Sequence, residues 1–182
     1  MRYAQIRSMD ISNGEGVGIA LFVQGCHLRC YNCFNPETHD FNGGKEWTPE
    51  VEDKFIELAS RPYIKRISLL GGECLADENL DGVLNLVNRI RLLLPEKTIW
   101  LYTGYEWEHI FDQGYHYHPL TVEKLSIGRW RRQKIVKQCD VLIDGRYIDS
   151  LRDVSLKWKG SSNQRVINVQ ESLSQNKIIL YE

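Results

Sequence analysis

Gly18-Ile-Ala-Leu-Phe-Val-Gln-Gly-Cys26-His-Leu-Arg-Cys30-Tyr-Asn-Cys33 is the stretch on which the reading of this chain turns. Gly18 to Gln24 follows a glycine-rich turn and reads as a buried strand, because a short, almost unbroken apolar run bounded by glycines fits a sheet covered on both faces. The strand ends at Gly25, and three cysteines follow at once with the spacing C-x3-C-x2-C. The cysteines therefore sit on a loop at the C-terminal end of a strand. Three thiolates on one short loop can converge on a small metal centre. A structural zinc ion normally takes four ligands. His27 is too close to Cys26 to be a comfortable fourth, and His39 would need the loop to fold back. A cubane iron–sulfur cluster held by three cysteines keeps one iron without a protein ligand, which is what a chelating substrate needs. The spacing favours that reading. A zinc site completed by His39 and a redox-active thiol set are the alternatives.

Outward from this stretch the chain alternates strands and helices. Thr48 followed by Pro49 marks a helix start, running to about Ser60. Lys65 to Leu70 is a second strand, followed by Gly71-Gly72-Glu73. Val83, Leu86, Val87, Ile90 and Leu94 recur at helical spacing, and Pro95 stops that helix. Thr98 to Tyr102 forms a third strand before Gly104, Cys139 to Ile143 a later one ending in Asp-Gly, and Arg165 to Val169 a last one. Repeated β–loop–α units predict an α/β fold with a mostly parallel sheet and right-handed crossovers. A closed eight-fold barrel takes about 250 residues. The 182 residues here suit a partial, open β/α barrel instead. Ligands in such folds sit at the C-terminal ends of the strands. Both the cysteines and Gly71-Gly72-Glu73 fall there.

The bulk properties narrow the function classes. The length fits one domain over 1–182, in which the tail from about 170 to 182 has no assigned role. A net charge of −1 gives no general pull toward nucleic acid or a membrane surface. No apolar run approaches the roughly 20 residues of a membrane span. Met1-Arg2-Tyr3-Ala4-Gln5 lacks the apolar segment of a secretory signal, so a cytoplasmic protein is expected. Five cysteines cannot all pair, which argues against a complete disulfide framework.

The cysteine motif after a strand resembles the radical S-adenosylmethionine (SAM) superfamily. A finer match is to the activating proteins of anaerobic (class III) ribonucleotide reductases. It is carried by Phe22-Val-Gln-Gly-Cys26, Cys33-Phe-Asn-Pro-Glu-Thr38, Asp40-Phe-Asn-Gly-Gly44, Trp100-Leu-Tyr-Thr-Gly-Tyr105, Val141-Leu-Ile-Asp-Gly145 and Trp158-Lys-Gly-Ser-Ser-Asn-Gln164. The resemblance runs from Met1 to about Val169. It implies an open barrel of the radical SAM type and an oxidoreductase with a [4Fe–4S] cluster on Cys26, Cys30 and Cys33. It further implies SAM on the open iron, reductive cleavage to a 5′-deoxyadenosyl radical, and abstraction of a hydrogen from a glycine Cα of the reductase large subunit. An electron donor such as flavodoxin is implied as well. The other enzymatic readings are an activase for a different glycyl-radical enzyme and a small radical SAM enzyme with a non-protein substrate. The non-enzyme reading is a zinc or iron–sulfur scaffold.

The resemblance also implies site roles. Gly71-Gly72-Glu73 resembles the superfamily's Gly-Gly-Glu turn, in which glycines let the backbone approach a ligand. Backbone groups at Gly72 and the acceptor of Glu73 are expected to bind the SAM ammonium. Asn32, Cys33 and Phe34 are expected to pack against SAM. Cys74 stands where relatives usually carry proline and is expected simply to pack. Ser12 to Gly18 is expected to turn near the cofactor. The basic run Arg129-Trp-Arg-Arg-Gln-Lys134 with Lys137 reads first as a solvated helix face and second as a docking surface. His116-Tyr-His118 reads as a polar loop, and Cys139 as core.

Overall fold

The computed structural model describes residues 1–111 and 122–182, with side-chain surroundings from 127 onward in the second stretch. His116 and His118 lie outside the described residues. Among the described residues seven strands form one open sheet in the order β3-β1-β2-β4-β5-β6-β7. They are β1 (Arg2–Asp10), β2 (Gly18–Val23), β3 (Lys45–Glu46), β4 (Arg66–Gly71), β5 (Thr98–Tyr102), β6 (Val141–Asp144) and β7 (Arg165–Asn168). The helices are α1 (Pro49–Ala59), α2 (Leu80–Leu93), α3 (Trp107–Phe111), α4 (Val122–Val136) and α5 (Val169–Gln175).

The expected parallel sheet is present as its centre: β2, β4, β5 and β6 run parallel. Two strands were not anticipated. β1 pairs antiparallel with β2, and the two-residue β3 pairs antiparallel with β1. β7 is antiparallel to β6 and closes the other side. The Thr48 hydroxyl accepts from Val51 N at 3.4 Å and caps α1, with Pro49 in its first turn as the sequence predicts.

Strand alternation divides the sheet into two faces. Ile19, Leu21, Val23, Ile67, Leu69, Ile99, Leu101 and Leu142 pack with residues of α1, α2 and α4 in one core. Helices on this single face agree with crossovers of one hand. The opposite face carries Ala20, Phe22, Leu70 and Tyr102, then Trp100, Val141 and Ile143. Among the described residues no helix covers this second face; the β1–β2 turn and the segment after β6 fold over it. Arg66, fully buried, holds the β1–β2 turn down by donating to Asp10 O (2.8 Å), Asn13 O (2.6 Å) and Glu15 O (3.2 Å), and it pairs with the Asp10 carboxylate at 3.0 Å.

The tail, without an assigned role in the sequence reading, is packed as well. Leu180 bridges Ile167, and the Tyr181 ring meets Trp100 and Trp158 edge-on. The Tyr181 hydroxyl donates to Glu15 at 2.7 Å, so the tail and the β1–β2 turn brace each other. Among the described residues no helix is long and apolar enough to cross a membrane.

Candidate cluster and cofactor site

The face of the sheet opposite the helices opens, beneath the β1–β2 turn and the segment after β6, into a cavity of about 400 Å³, within the size range of ligand pockets. Cys26, Cys30, Cys33, Phe34, Gly71, Gly72 and Glu73 all line it, so two motifs some forty residues apart meet at one wall. Ser12 and Asn13 line it too, so the β1–β2 turn reaches the same cavity.

The cysteine loop leaves β2 through Gly25, whose φ of +99° favours glycine, and an added Cβ would strike the Phe41 ring. Gly25 N donates to Thr38 O at 2.8 Å, and Cys26 N to His39 O at 3.2 Å. The Gln24 side-chain amide donates to Glu37 O (2.9 Å) and Asp40 O (2.8 Å), which returns the chain over the cysteines. Cys33 N donates to Cys30 O at 3.2 Å, and Asn35 N to Cys33 Sγ at 3.4 Å. Arg29 and Asn32 take left-handed backbone conformations, turning the loop twice within eight residues.

Backbone bonds stitch this loop to the Gly71-Gly72-Glu73 turn. Gly72 N donates to Val23 O at 2.9 Å and Glu73 N to Gly25 O at 2.8 Å. Asn79 Nδ2 bridges Gln24 O and Glu73 O at 3.1 and 2.9 Å. The Glu73 carboxylate is buried and accepts from Leu75 N, Thr103 Oγ1 and Gly104 N at 2.7–2.8 Å. Burial raises its pKa against these three donors. Glu73 thus ties the end of β4 to the end of β5. The sequence expects its acceptor to face an ammonium; in the structure both oxygens serve the protein. Because the Gly72 N–H is spent on Val23, the polar groups this turn has left to offer are carbonyl oxygens.

Burial pushes the Cys26 thiol up, opposed by the backbone N–H groups of Leu28 and Arg29 and reinforced by the charge of Glu73. Burial raises Cys33 likewise, against the Asn35 N–H. His39 lines the cavity, and its Nε2 is buried without a protein partner among the described residues. The three thiols are spread round the wall: among the described residues no three His, Cys, Asp or Glu side chains are close enough to hold a single metal ion. A cubane takes each cysteine at a separate corner, and three thiolates are the donor type it needs.

Cys74, the departure from the family pattern, is wholly buried, its thiol 3.9 Å from Leu70 O. Burial holds its pKa well above the ordinary thiol value. Cys139 is equally buried, 3.4 Å from Ile135 O, and packs as expected.

The segment after β6 forms the facing wall. Gln164 Oε1 accepts from Gly160 N (2.9 Å) and Ser161 N (3.2 Å), while its Nε2 donates to Gly145 O at 2.9 Å. Asn163 Nδ2 donates to Arg146 O at 2.8 Å. This wall reaches the cysteine loop: Asn32 Nδ2 donates to Asp149 at 3.0 Å, Arg146 donates to Leu28 O, and the Phe34 and Tyr147 rings lie 4.8 Å apart. Asn32 and Phe34 are thereby oriented, though Phe34 is still 56% exposed.

The basic run on α4 is more engaged than a solvated face. Arg132 donates to Leu75 O (2.8 Å) and pairs with Asp77 (2.6 Å) beneath the Tyr105 ring, and Arg131 pairs with Asp81 at 2.9 Å. Sequence reasoning missed Gln24, Asn79 and Thr103 as braces of the site. Gln24 and Thr103 lay in quoted motifs, which did not reveal the bracing role; Asn79 carries no local signal.

A family model described as a 4Fe-4S single cluster domain matches residues 12–167. Three proteins named anaerobic ribonucleoside-triphosphate reductase-activating protein are similar to this chain. That of Escherichia coli K12 is 38% identical over 168 residues, covering 91% of this chain and 97% of the relative. That of Vibrio cholerae is 36% identical over 166 residues, covering 90% and 96%. That of Enterobacteria phage T4 is 33% identical over 166 residues, covering 91% and 93%. Identity above 30% over nine-tenths of both chains bears out the resemblance read from the motifs: the chain belongs to the family of anaerobic ribonucleoside-triphosphate reductase-activating proteins, with a 4Fe-4S single cluster domain.

Proposed function

We propose that this chain activates an anaerobic ribonucleotide reductase by generating a glycyl radical on it. The observation that carries the reading is the meeting of Cys26, Cys30, Cys33 and the Gly71-Gly72-Glu73 turn on one cavity. The chemistry supplied there, when a reduced [4Fe–4S] cluster and SAM are bound, is cleavage of SAM to methionine and a 5′-deoxyadenosyl radical that takes a hydrogen from a glycine Cα.

In this reading Cys26, Cys30 and Cys33 hold three irons, and a carbonyl of Gly72 accepts from the SAM ammonium. Glu73 acts beside it by fixing the turn and the Thr103–Gly104 strand end. Asn32, Cys33 and Phe34 pack against SAM, and Phe34 supplies an aromatic surface on the cavity wall. The two walls, tied at Asn32–Asp149 and Phe34–Tyr147, hold back water from a primary radical. The fold is then a radical SAM type of open barrel in a single 1–182 domain. A reduced flavodoxin is the electron donor in this reading, and five free thiols fit a cytoplasmic setting.

The test is anaerobic reconstitution with iron and sulfide, followed by SAM and a reductant, with and without the reductase encoded by the same genome. About four irons per chain, 5′-deoxyadenosine, and a glycyl doublet in the electron paramagnetic resonance (EPR) spectrum support the reading. Stoichiometric zinc without SAM cleavage contradicts the radical reading. Cleavage without the doublet contradicts the reductase as partner and leaves a different glycyl-radical enzyme.

A further inference from the structure

The segment after β6 has two sides. Tyr147, Leu156 and Trp158 line the cavity. Between them Ile148, Leu151 and Val154 stay exposed, Val154 to 88%. Tyr31, 77% exposed, precedes Asn32, whose side chain is bonded to Asp149 of this segment. Phe34, on the same cysteine loop, lines the cavity and is itself exposed, so the cavity opens past these side chains. Apolar side chains gathered at the mouth of a cavity, rather than scattered singly, mark an interaction site.

These side chains are not displayed by a loose loop. Ile148 N donates to Ser161 Oγ at 3.2 Å and Ser162 N to Leu151 O at 2.9 Å, and Arg152 bridges Ser161. The Asp149 carboxylate accepts from the Tyr147 hydroxyl at 2.7 Å and from Asn32 at 3.0 Å. The Asp153 carboxylate accepts from Ser155 N at 2.8 Å and Ser155 Oγ at 2.6 Å. A surface ordered before its partner arrives loses little entropy on binding.

Charge decides the kind of partner. Arg152 and Lys157 on this segment, and Arg29 on the cysteine loop, are exposed. Among the described residues none of the three pairs with a carboxylate. The two acids of the segment are taken up by hydroxyl and amide donors instead. On α2 and α4, by contrast, Arg89, Arg91, Arg131 and Arg132 each have a carboxylate of their own. The whole chain carries a net charge of −1, so the cationic rim is a local feature.

We propose that the exposed side of residues 148–157, with Tyr31, is the docking surface for the partner protein, and that it takes an acidic stretch carrying apolar side chains. This rests on the activase reading and adds to it a site outside the cavity. The cavity positions only the short glycine-bearing segment that enters it. Contacts away from the reacting atoms hold the rest of the partner in register, and binding energy gained there orients the target. Nucleic acid fits less well: a phosphate backbone gains from cations and aromatic faces, not from isoleucine, leucine and valine set among them.

The test is Val154→Asp combined with Lys157→Glu, two exposed positions outside the cavity lining. The double variant should keep its melting temperature, its iron content and its partner-free yield of 5′-deoxyadenosine from SAM. With the reductase encoded by the same genome, KM for the reductase should rise roughly tenfold, while the rate at saturating reductase stays the same. Added salt should raise the wild-type KM, and raise it less in Lys157→Glu, whereas Lys157→Arg should keep the wild-type KM. An unchanged KM in the double variant would overturn the proposal. So would a fall in partner-free cleavage or a melting temperature lowered by several degrees, which gives these side chains to the site or to the fold. Binding of a single-stranded oligonucleotide that the double variant loses, with KM for the reductase unchanged, gives the surface to nucleic acid instead. If the wild-type protein itself forms no glycyl radical on the reductase, the activase reading fails first and takes this inference with it; that result shows before any variant is compared.

Discussion

Adding one methyl group at Gly72 probes the joint between the two motifs of the site. A Cβ there would lie 2.4 Å from Gly25 O, 2.9 Å from Gly25 C and 3.0 Å from Thr38 O. All three are backbone atoms, so no flexible side chain can swing aside. They are also bonded to each other and to the turn: Gly25 N to Thr38 O and Glu73 N to Gly25 O, both at 2.8 Å. Gly72→Ala must separate the turn from the cysteine loop. Overpacking of this kind costs about 1–3 kcal/mol, and a weakened Glu73–Gly25 bond adds about 1 kcal/mol. The φ of Gly72 is not left-handed, so reduced freedom of the unfolded chain returns about 0.4–1 kcal/mol. A net loss of about 2 kcal/mol corresponds to a melting temperature lower by roughly 4–8 °C for a domain of this size. Anaerobic melts of the metal-free protein followed by circular dichroism read this directly, and iron content after reconstitution reads the displacement of Cys26. A variant that melts within 1 °C of the wild type and takes up full iron would refute the coupling.

Arg66→Met leaves the buried Asp10 carboxylate with only the half-exposed Arg7 at 3.9 Å as a cation, and loss of the buried partner costs about 3–5 kcal/mol; a chemical denaturation curve should show it, and Asp10→Asn added to it should recover part. Burial alone would raise the Asp10 pKa, but hydrogen bonds from Asn13 and Arg66 outweigh it and the net shift is downward. Its stabilisation is therefore present above the unfolded value near 3.9 and is lost as pH falls through the lower folded value. Stability measured below about pH 4 should decline less in Asp10→Asn than in the wild type. Cys30→Ala should abolish cluster assembly and SAM cleavage, whereas Cys74→Ala should keep its iron and lose only about 1 kcal/mol of stability. Equal iron in both variants would contradict the ligand assignment.

The parallel centre of the sheet was legible because β2 and β4 are covered on both faces and read as near-continuous apolar runs. β1 was not. Register shifts between Tyr3 and Gln5, and between Arg7 and Asp10, break its alternation, and Arg7, Ser8 and Met9 are exposed. β3, two residues long, has no pattern at all. The three cysteines announced themselves by spacing. Glu73 was found as a motif member, but its task was not, since its donors lie on Leu75, Thr103 and Gly104. Arg66 opens the apolar run of β4 with no motif around it. Its partners are backbone carbonyls some fifty residues earlier, which no local pattern records. Cys74, the departure from the motif, was expected simply to pack and is wholly buried in the core.

The central claim is that three cysteines hold the cluster and leave one iron open to SAM. Its most direct test is the EPR spectrum of the reduced, reconstituted protein recorded before and after SAM is added, without partner. The account predicts a change in the cluster's g-values on addition of SAM, absent with methionine-free adenosine. Superimposable spectra with and without SAM, at full iron content, would contradict it.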